Sequence, residues 1–274
     1  MTFLERMAEA SRARVRAARA AESEAKLESR ALAAPKPPPL LLDRFDVIAE
    51  LKLRSPAAGG LAAGDFDRGA QLDGYARGGA AAVSVLTEPT EFHGDLTHLA
   101  DAATRLRRER KPAMRKDFLT DPYQVLEARA AGASGVLVIV TMLDDATVRA
   151  LVDCSRRCGL FVLLEAFDRA DLDRLRAFDE AATDGPALLA GVNCRDLRDL
   201  AVRFARFAEL APHLPRHLPA VAESGIGTAD DVRAVAAAGY RLALVGSALM
   251  RAADPAAALA DLIAVGRATH TREH

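Results

Sequence analysis

The sequence lacks tryptophan and has only three cysteines among 274 residues, too few for a disulfide framework. Acidic and basic residues nearly cancel to a net charge of −1, which argues against a surface for nucleic acid or for an anionic membrane. The longest apolar run, at 135–140, is far shorter than the roughly 20 residues of a membrane-spanning helix, and the first dozen residues show no signal-peptide pattern. These absences predict a soluble cytoplasmic protein that binds neither nucleic acid nor membrane.

Lysine is scarce as well. The chain has five lysines, at 26, 36, 52, 111 and 116, while the other 32 of its 37 basic residues are arginines. A lysine ammonium can exchange a proton when burial and neighbouring charge tune its pKa, whereas a guanidinium cannot. A position that keeps lysine in this chain therefore points to proton chemistry.

Residues 1–46 are predicted to form an N-terminal helical extension and a proline-rich connector. Good helix formers fill 3–32, with apolar residues loosely at helical spacing. The prolines at 35, 37, 38 and 39 cannot continue a helix. A frayed tail is the alternative for this region. Residues 47–274 are predicted to form one catalytic domain.

From residue 47 onward, short apolar runs alternate with stretches of helical spacing, which is typical of parallel strands buried on both faces. Eight such units predict an α/β fold of the (β/α)₈ type, a TIM barrel. A doubly wound open sheet also alternates in this way, but it usually has six strands, and the GxGxxG turn after its first strand is missing here. The predicted strands are 47–51, 81–86, 112–115, 135–140, 160–164, 187–192, 219–222 and 242–245.

Polar or small residues follow nearly every predicted strand. In a barrel the carboxyl ends of all eight strands open onto one face, where active sites are built. Residues that are far apart in the chain are therefore expected to meet at one mouth. They are Glu50, Lys52, Thr87, Glu88, Lys116, Thr141, Glu165, Asn193, Glu223, Ser224, Gly246 and Ser247.

Two lysines and two glutamates are the candidates for proton transfer. Glu50 and Lys52 are two residues apart on a strand, so both side chains point to one side. A structural ion pair is the alternative for them, and a lysine extended along the barrel rim is the alternative for Lys116. Glu165 follows four apolar residues, and partial desolvation raises the pKa of such a carboxylate toward that of a general base.

The last strands predict an anion site. Ser224 and Gly225 follow the seventh strand, and Gly246 with Ser247 follow the eighth, each just before a helix. Glycine lets backbone N–H groups approach an anion, the helix N-terminus adds its dipole, and barrels commonly bind phosphate between these two loops. Ser55, after the first strand, is placed to cap the same phosphate.

The remaining candidates bind the rest of a substrate. Asn193 and Arg195 suit hydroxyl and anionic groups, with a loop-structuring asparagine as the alternative. Phe92, Phe118 and Leu137 form a slot for an aromatic ring, or are simply packed in loops. No cluster of His, Cys and acidic residues has the spacing of a metal site, so none is predicted.

With these residues in view, the sequence resembles the indole-3-glycerol phosphate synthase family of tryptophan biosynthesis. The resemblance covers nearly the whole chain, including the N-terminal helical segment at 2–15. It is carried by seven motifs in order, AELKLRSP (49–56), AVSVLTEP (82–89), RKDF (115–118), LLEAFD (163–168), NCRDL (193–197), AESGI (222–226) and VGSALM (245–250).

The resemblance implies a cofactor-free carbon–carbon lyase, EC 4.1.1.48. It would convert 1-(2-carboxyphenylamino)-1-deoxyribulose 5-phosphate to indole-3-glycerol phosphate, carbon dioxide and water. Lys116 would be the general acid, Lys52 would hold the departing carboxylate, Glu165 would assist dehydration, and Glu50 would position the lysines.

The resemblance also implies a set of binding residues. Asn193, Arg195 and Ser224 would contact the sugar chain, with Glu223 beside them. Phosphate would lie against Ser55, Gly225, Gly246 and Ser247.

The chain departs from the family pattern at two places, with Ala57 where a second serine is common and Ala166 and Phe167 where Val-His is common. None of these changes removes a charge from the proposed site. A phosphoribosyl-type isomerase and a non-catalytic paralogue are the other readings, but neither requires two lysines and two glutamates together. The expected partner is the phosphorylated substrate, and the expected state is a monomer or weak homodimer.

Overall fold

The computed structural model describes residues 2–55, 59–60, 66–178, 187–196 and 200–270. Eight parallel strands close into a barrel in chain order, because the last strand pairs with the first through Asp46 and Leu242. This confirms the predicted (β/α)₈ barrel and excludes the open sheet. The strands are β1 Asp46–Leu51, β2 Ala82–Leu86, β3 Ala113–Lys116, β4 Gly135–Ile139, β5 Phe161–Ala166, β6 Leu188–Asn193, β7 Ala220–Glu223 and β8 Leu242–Val245.

Helices precede β1 and follow the strands. Two-residue strands at Arg54–Ser55 and Gly59–Gly60 pair after β1, and 3₁₀ turns occur at Val140–Met142, Arg176–Phe178 and Ala211–His213. The α-helices of the described residues are α1 Phe3–Ala21, α2 Glu24–Ala33, α3 Arg68–Arg77, α4 Pro89–Phe92, α5 Leu96–Arg107, α6 Pro122–Ala130, α7 Asp145–Arg157, α8 Arg169–Leu175, α9 Arg206–Leu210, α10 Ala229–Ala237, α11 Ser247–Arg251 and α12 Pro255–His270.

Local capping chemistry sets where several helices begin. Thr2 and Glu5 form a capping box at α1, and Thr228 and Asp231 form another at α10. The N-terminal extension is helical as predicted, but it is two helices rather than one, because Glu22 and Ser23 adopt extended backbone between α1 and α2.

Strand residues alternate between the barrel interior and the layer under the helices. On β5, Phe161 and Leu163 belong to the interior cluster, whereas Val162 and Leu164 pack beneath the helices. The same period of two turns the acidic or basic residue at the end of several strands inward, above the apolar interior. Those residues are Glu50, Lys116, Glu165 and Glu223.

The N-terminal extension runs from one pole of the barrel to the other. Helix α1 lies near the carboxyl ends of the strands, where Phe3 packs edge-on against Phe118 with 5.9 Å between ring centroids. Helix α2 packs beside α6, where Leu27 is fully buried. The connector after α2 then passes the amino-terminal pole before β1, with Leu40 against the interior cluster.

Candidate active site

A cavity of about 480 Å³ opens at the carboxyl ends of the strands. It collects every residue predicted to act on or bind the substrate except Ser55, whose side chain lies outside the described part of the chain, as does Ala57. Thr87, Glu88 and Thr141, which were also expected at the mouth, do not line the cavity; Thr87 donates to Asp117, and Glu88 caps α4. Residues from all eight strand–loop units thus meet at one mouth. The predicted residues that line it are Glu50, Lys52, Phe92, Lys116, Phe118, Leu137, Glu165, Asn193, Arg195, Glu223, Ser224, Gly225, Gly246 and Ser247.

Glu50 stands between the two lysines at the mouth. Its Oε1 is 2.6 Å from Nζ of Lys52, and its Oε2 is 4.0 Å from Nζ of Lys116. Burial alone would raise the pKa of Glu50, but Lys52 and Lys116 outweigh it and hold the pKa below its ordinary value. Glu50 is therefore ionised and fixes the positions of both ammonium groups.

Lys116 carries its proton in the free protein. Burial would lower its pKa, but Glu165, Glu50 and Glu223 together outweigh burial and raise the pKa above the ordinary value. A lysine surrounded in this way is protonated and can act as a general acid, donating its proton to a nearby oxygen that develops negative charge. The neighbouring Arg115 faces the helix layer and donates to the backbone carbonyl of Gln124 of α6.

Glu165 and Glu223 are a pair of buried carboxyl groups on either side of Gly191. A Cβ at Gly191 would collide with Oε1 of Glu223, so glycine on β6 is what makes room for this carboxyl group. Both oxygens of Glu223 and Oε2 of Glu165 are buried without a hydrogen-bond partner among the described residues. Burial and the charge of Glu165 raise the pKa of Glu223 well above its usual range. The site therefore favours the protonated, neutral form of Glu223.

Replacing Glu223 by glutamine is expected to flatten the dependence of stability on pH. A carboxyl whose pKa is raised in the folded state binds more protons there than in the unfolded state, so its contribution to stability falls as pH rises above the unfolded value. Glu223→Gln keeps the neutral shape and removes that loss. Urea unfolding at pH 5 and pH 8 measures it.

We expect the parent protein to lose more unfolding free energy than Glu223→Gln does when the pH is raised from 5 to 8. Glu91→Gln, at a partly exposed glutamate of α4, is the control and should show little such shift. Parallel pH profiles for the parent and Glu223→Gln would contradict a proton on Glu223.

The loop after β6 uses Asn193 to fix its own shape. Oδ1 of Asn193 accepts from the backbone N–H of Arg195 at 2.9 Å, and Nη1 of Arg195 donates to the carbonyl of Leu200 at 2.8 Å. The loop-structuring alternative for Asn193 is therefore present in the structure. Both side chains still line the cavity. Their predicted contacts with substrate would therefore be made by the polar atoms that do not take part in these two hydrogen bonds.

Backbone conformation shapes the end of the cavity formed after β7 and β8. Ser224 and Gly225 both have left-handed backbone, with φ of 71° and 69°, which is strained for serine and free for glycine. A Cβ at Gly246 would collide with Glu50 and lie 2.9 Å from Nζ of Lys52. Asp231 accepts from the N–H of Gly227 at 3.0 Å, so that N–H is already occupied and Gly227 is not part of the predicted anion site.

Several residues that line the cavity were missed from the sequence. Phe3 comes from α1 and completes the aromatic slot, in which the rings of Phe92 and Phe118 are 6.2 Å apart. Nothing in the sequence shows where the extension docks, so no signal marked Phe3. Arg251 lies one helical turn after Ser247, and that spacing could have identified it as a second cation near the anion site.

Asp117, beside Lys116, connects the site to the N-terminal extension. Its Oδ1 accepts from Nη2 of Arg14 at 2.7 Å, and its Oδ2 accepts from Oγ1 of Thr87 at 2.9 Å. Nη1 of Arg14 is 3.5 Å from the buried carboxylate of Glu88, which caps α4. Helix α1 is therefore tied to the ends of β2 and β3 next to the candidate acid.

Among the described residues there is no group of three or more His, Cys, Asp and Glu side chains that could hold a metal ion. In the same part of the chain, no helix is long and apolar enough to cross a membrane.

Comparison with known proteins places these features in a family. A family model described as indole-3-glycerol phosphate synthase matches residues 4–262. The chain is 43% identical over 235 residues to an indole-3-glycerol phosphate synthase of Opitutus terrae, covering 83% of this chain and 85% of the relative. It is 38% identical over 271 residues to that of Mycobacterium avium, covering 97% and 95%.

A solved structure, 3-hexulose-6-phosphate synthase from Salmonella typhimurium, is similar with a TM-score of 0.62. The two chains are 18% identical, and the match covers 82% of this chain and 100% of the other. At this identity the likeness concerns the fold alone.

Proposed function

Because the chain belongs to the indole-3-glycerol phosphate synthase family, we propose that its cavity closes the indole ring of 1-(2-carboxyphenylamino)-1-deoxyribulose 5-phosphate, releasing carbon dioxide and water. The main structural support for this proposal is that Glu50, Lys52, Lys116 and Glu165 line the same cavity. Burying four ionisable groups together is a poor device for stability, so their grouping favours a chemical role. The isomerase and the non-catalytic paralogue are not retained.

Lys116 acts as the general acid in the first step. The ring carbon that bears the carboxylate attacks the ketone carbon, and the ketone oxygen takes the proton from Nζ of Lys116. The new carbon–carbon bond interrupts the aromatic system, which is restored when the carboxylate leaves as carbon dioxide. The raised pKa of Lys116 supports this role because the proton is in place before the substrate arrives.

Lys52, Glu50 and Glu165 complete the reaction. Lys52 holds the substrate carboxylate until it leaves, and Glu50 keeps Lys52 and Lys116 apart at fixed positions. The hydroxyl group made in the first step then departs as water, and a proton is removed from the new ring to form the indole. Glu165 assists as the acid–base partner, while Glu223 contributes to binding beside it.

The substrate is held at its two ends. Phe92, Phe118 and Leu137 take the aromatic ring, while Asn193, Arg195 and Ser224 contact the sugar chain. The turns at Gly225 and Gly246–Ser247, with Ser55 opposite, take the phosphate.

Inorganic phosphate is expected to inhibit competitively with substrate, because it occupies the turn at Gly246–Ser247. Arg251→Ala is expected to raise the inhibition constant for phosphate by about tenfold, since it removes a charged partner of the anion. Arg233→Ala, an exposed arginine on α10 that does not line the cavity, is the matched control. Steady-state kinetics with phosphate as inhibitor make the measurement, and uncompetitive or absent inhibition would contradict the phosphate cradle.

The direct test is to add the carboxyphenylamino-sugar phosphate to the purified protein and follow indole fluorescence. We expect indole-3-glycerol phosphate and one equivalent of carbon dioxide to form together. Fluorescence without carbon dioxide, or neither product, would overturn the assignment.

We further propose that the protein acts in the cytoplasm as a monomer or weak homodimer with a phosphorylated small molecule as its partner. All three cysteines, Cys154, Cys158 and Cys194, are buried free thiols, which supports a reducing compartment.

A further inference from the structure

A second cavity, of about 730 Å³, lies at the amino-terminal pole of the barrel, away from the candidate active site. The connector after α2 forms one wall, and the ends of α6 and α7 form another. The starts of β4, β5 and β6 form its floor through Ser134, Phe161 and Ala187. None of the motifs assigned to the reaction contributes to this cavity.

Arg129 is the central polar group of this amino-terminal cavity. Only 5% of the residue is exposed, and two of its nitrogens are used to close helix ends. Nε donates to the carbonyl of Cys158 at 3.2 Å, and Nη2 donates to the carbonyl of Ala34 at 2.8 Å. Nη1 is buried without a hydrogen-bond partner among the described residues. A guanidinium nitrogen in that position is costly unless something accepts its hydrogens.

Ser134 supplies a second unpartnered donor in the same cavity. The residue is 2% exposed, and its Oγ has no hydrogen-bond partner within the described chain. Hydroxyl groups at buried positions normally find a partner. Two such groups line one cavity, Arg129 at the end of α6 and Ser134 just before β4, and together they form a built recognition site rather than a single defect in packing.

The charged side chains that line the cavity, among the described residues, are all basic. Lys36 of the connector and Arg157 at the end of α7 line it together with Arg129, and no aspartate or glutamate does so among the described lining residues. The carbonyl ends of α2 and α7 offset part of the charge of Arg129. Three cations without a carboxylate still favour an anion as the occupant.

The rest of the lining is apolar and fits a ligand that is not a bare inorganic ion. Pro37, Pro38 and Leu40 face Phe161 and Ala187 across the cavity. We propose that this amino-terminal cavity binds a small organic anion, with its carboxylate on Nη1 of Arg129 and Oγ of Ser134 and its apolar part between the connector and Phe161. This site is independent of the reaction at the other pole.

Benzoate is a suitable probe, and benzamide is its uncharged match. We expect benzoate to shift the backbone amide signals of Gly159 and Ala187 in a heteronuclear NMR titration, while benzamide at equal concentration does not. Benzoate also resembles the carboxyphenyl end of the proposed substrate, so the amides of Phe92 and Phe118 report separately on the active site. The titration of the Gly159 and Ala187 signals gives the dissociation constant for the amino-terminal cavity.

Two variants test the assigned contacts. Ser134→Ala is expected to weaken benzoate by about tenfold, because it removes a hydrogen bond to a charged group. Arg157→Ala, at an exposed position that should leave the fold intact, is expected to weaken benzoate by about threefold. Arg233→Ala, remote from the cavity, is the control and should bind benzoate as the parent does.

Equal binding of benzoate and benzamide would overturn the proposal, and this comparison needs only the parent protein. Shifts confined to Phe92 and Phe118 would overturn it as well, because the probe would then occupy the active site alone. Unchanged affinity for benzoate in both Ser134→Ala and Arg157→Ala would overturn the proposal, because neither the assigned hydroxyl contact nor the positive charge of the lining would then contribute.

Discussion

Lys116→Arg is expected to lower kcat at least about 100-fold. Arginine keeps the positive charge beside Glu50 and Glu165, so binding of an anionic substrate should change less than turnover. It cannot give up a proton, because a guanidinium stays protonated in proteins. The substitution therefore separates the charge of residue 116 from its acidity. Single-turnover fluorescence of the product measures the effect without interference from product release.

Lys111→Arg is the matched control for this experiment. Lys111 lies just before β3 at the opposite end of the strand from Lys116, and it does not line the cavity. It should retain parental kcat. A Lys116→Arg protein with nearly parental turnover would show that another group supplies the proton, and Lys52 would be the next candidate.

Arg115→Leu is expected to lower the free energy of unfolding by about 3–5 kcal/mol. Arg115 is almost fully buried, and its guanidinium contacts Asp117 at 3.1 Å and Glu127 at 3.0 Å. It also donates to the carbonyl of Gln124 and to Oγ1 of Thr87. Removing the cation leaves the carboxylate of Asp117 buried with Arg14 as its remaining charged partner.

The pH dependence of the Arg115→Leu effect is also predicted. Burial would raise the pKa of Asp117, but Arg115 and Arg14 outweigh it and hold the pKa below its ordinary value. Such a carboxylate contributes stability above its unfolded pKa, and that contribution is lost as pH falls through the lower folded pKa. The gap between the parent and Arg115→Leu should therefore be widest at neutral pH and should narrow below about pH 4.

Urea denaturation at pH 7 and pH 3.5 tests both parts of this prediction. Arg233→Ala, which removes a partly exposed arginine paired with the exposed Asp230, should cost at most about 0.5 kcal/mol. If Arg115→Leu unfolds like Arg233→Ala, the ion pairs of Arg115 add nothing to stability.

The barrel was predictable because its strands are buried on both faces. Each strand therefore reads as a continuous apolar run, and β8 at Leu242–Val245 has the bounds that were predicted. The charged residue that closes a run is conspicuous against such a background, which is why Glu50 and Glu165 could be found one strand at a time. Their convergence then follows from the shared direction of parallel strands.

Features that depend on packing between distant segments could not be predicted in this way. Phe3 and Arg14 belong to a helix whose docking position is set by tertiary contacts with Phe118 and Asp117. The raised pKa of Glu223 depends on its burial and on how closely it approaches Glu165 across Gly191, which no spacing along the chain reveals.

The apolar interior beneath Glu50, Lys116, Glu165 and Glu223 has a consequence for the order of product release. Ile48, Met114, Leu163 and Leu189 are fully buried below the cavity, within the interior cluster that fills this part of the barrel. Because the interior is filled, the substrate and the products use the same opening. Carbon dioxide must therefore leave past the bound indole-3-glycerol phosphate or after it. The order of release through this shared opening determines which product inhibits the reaction. Added bicarbonate and added indole-3-glycerol phosphate are therefore expected to inhibit to different degrees.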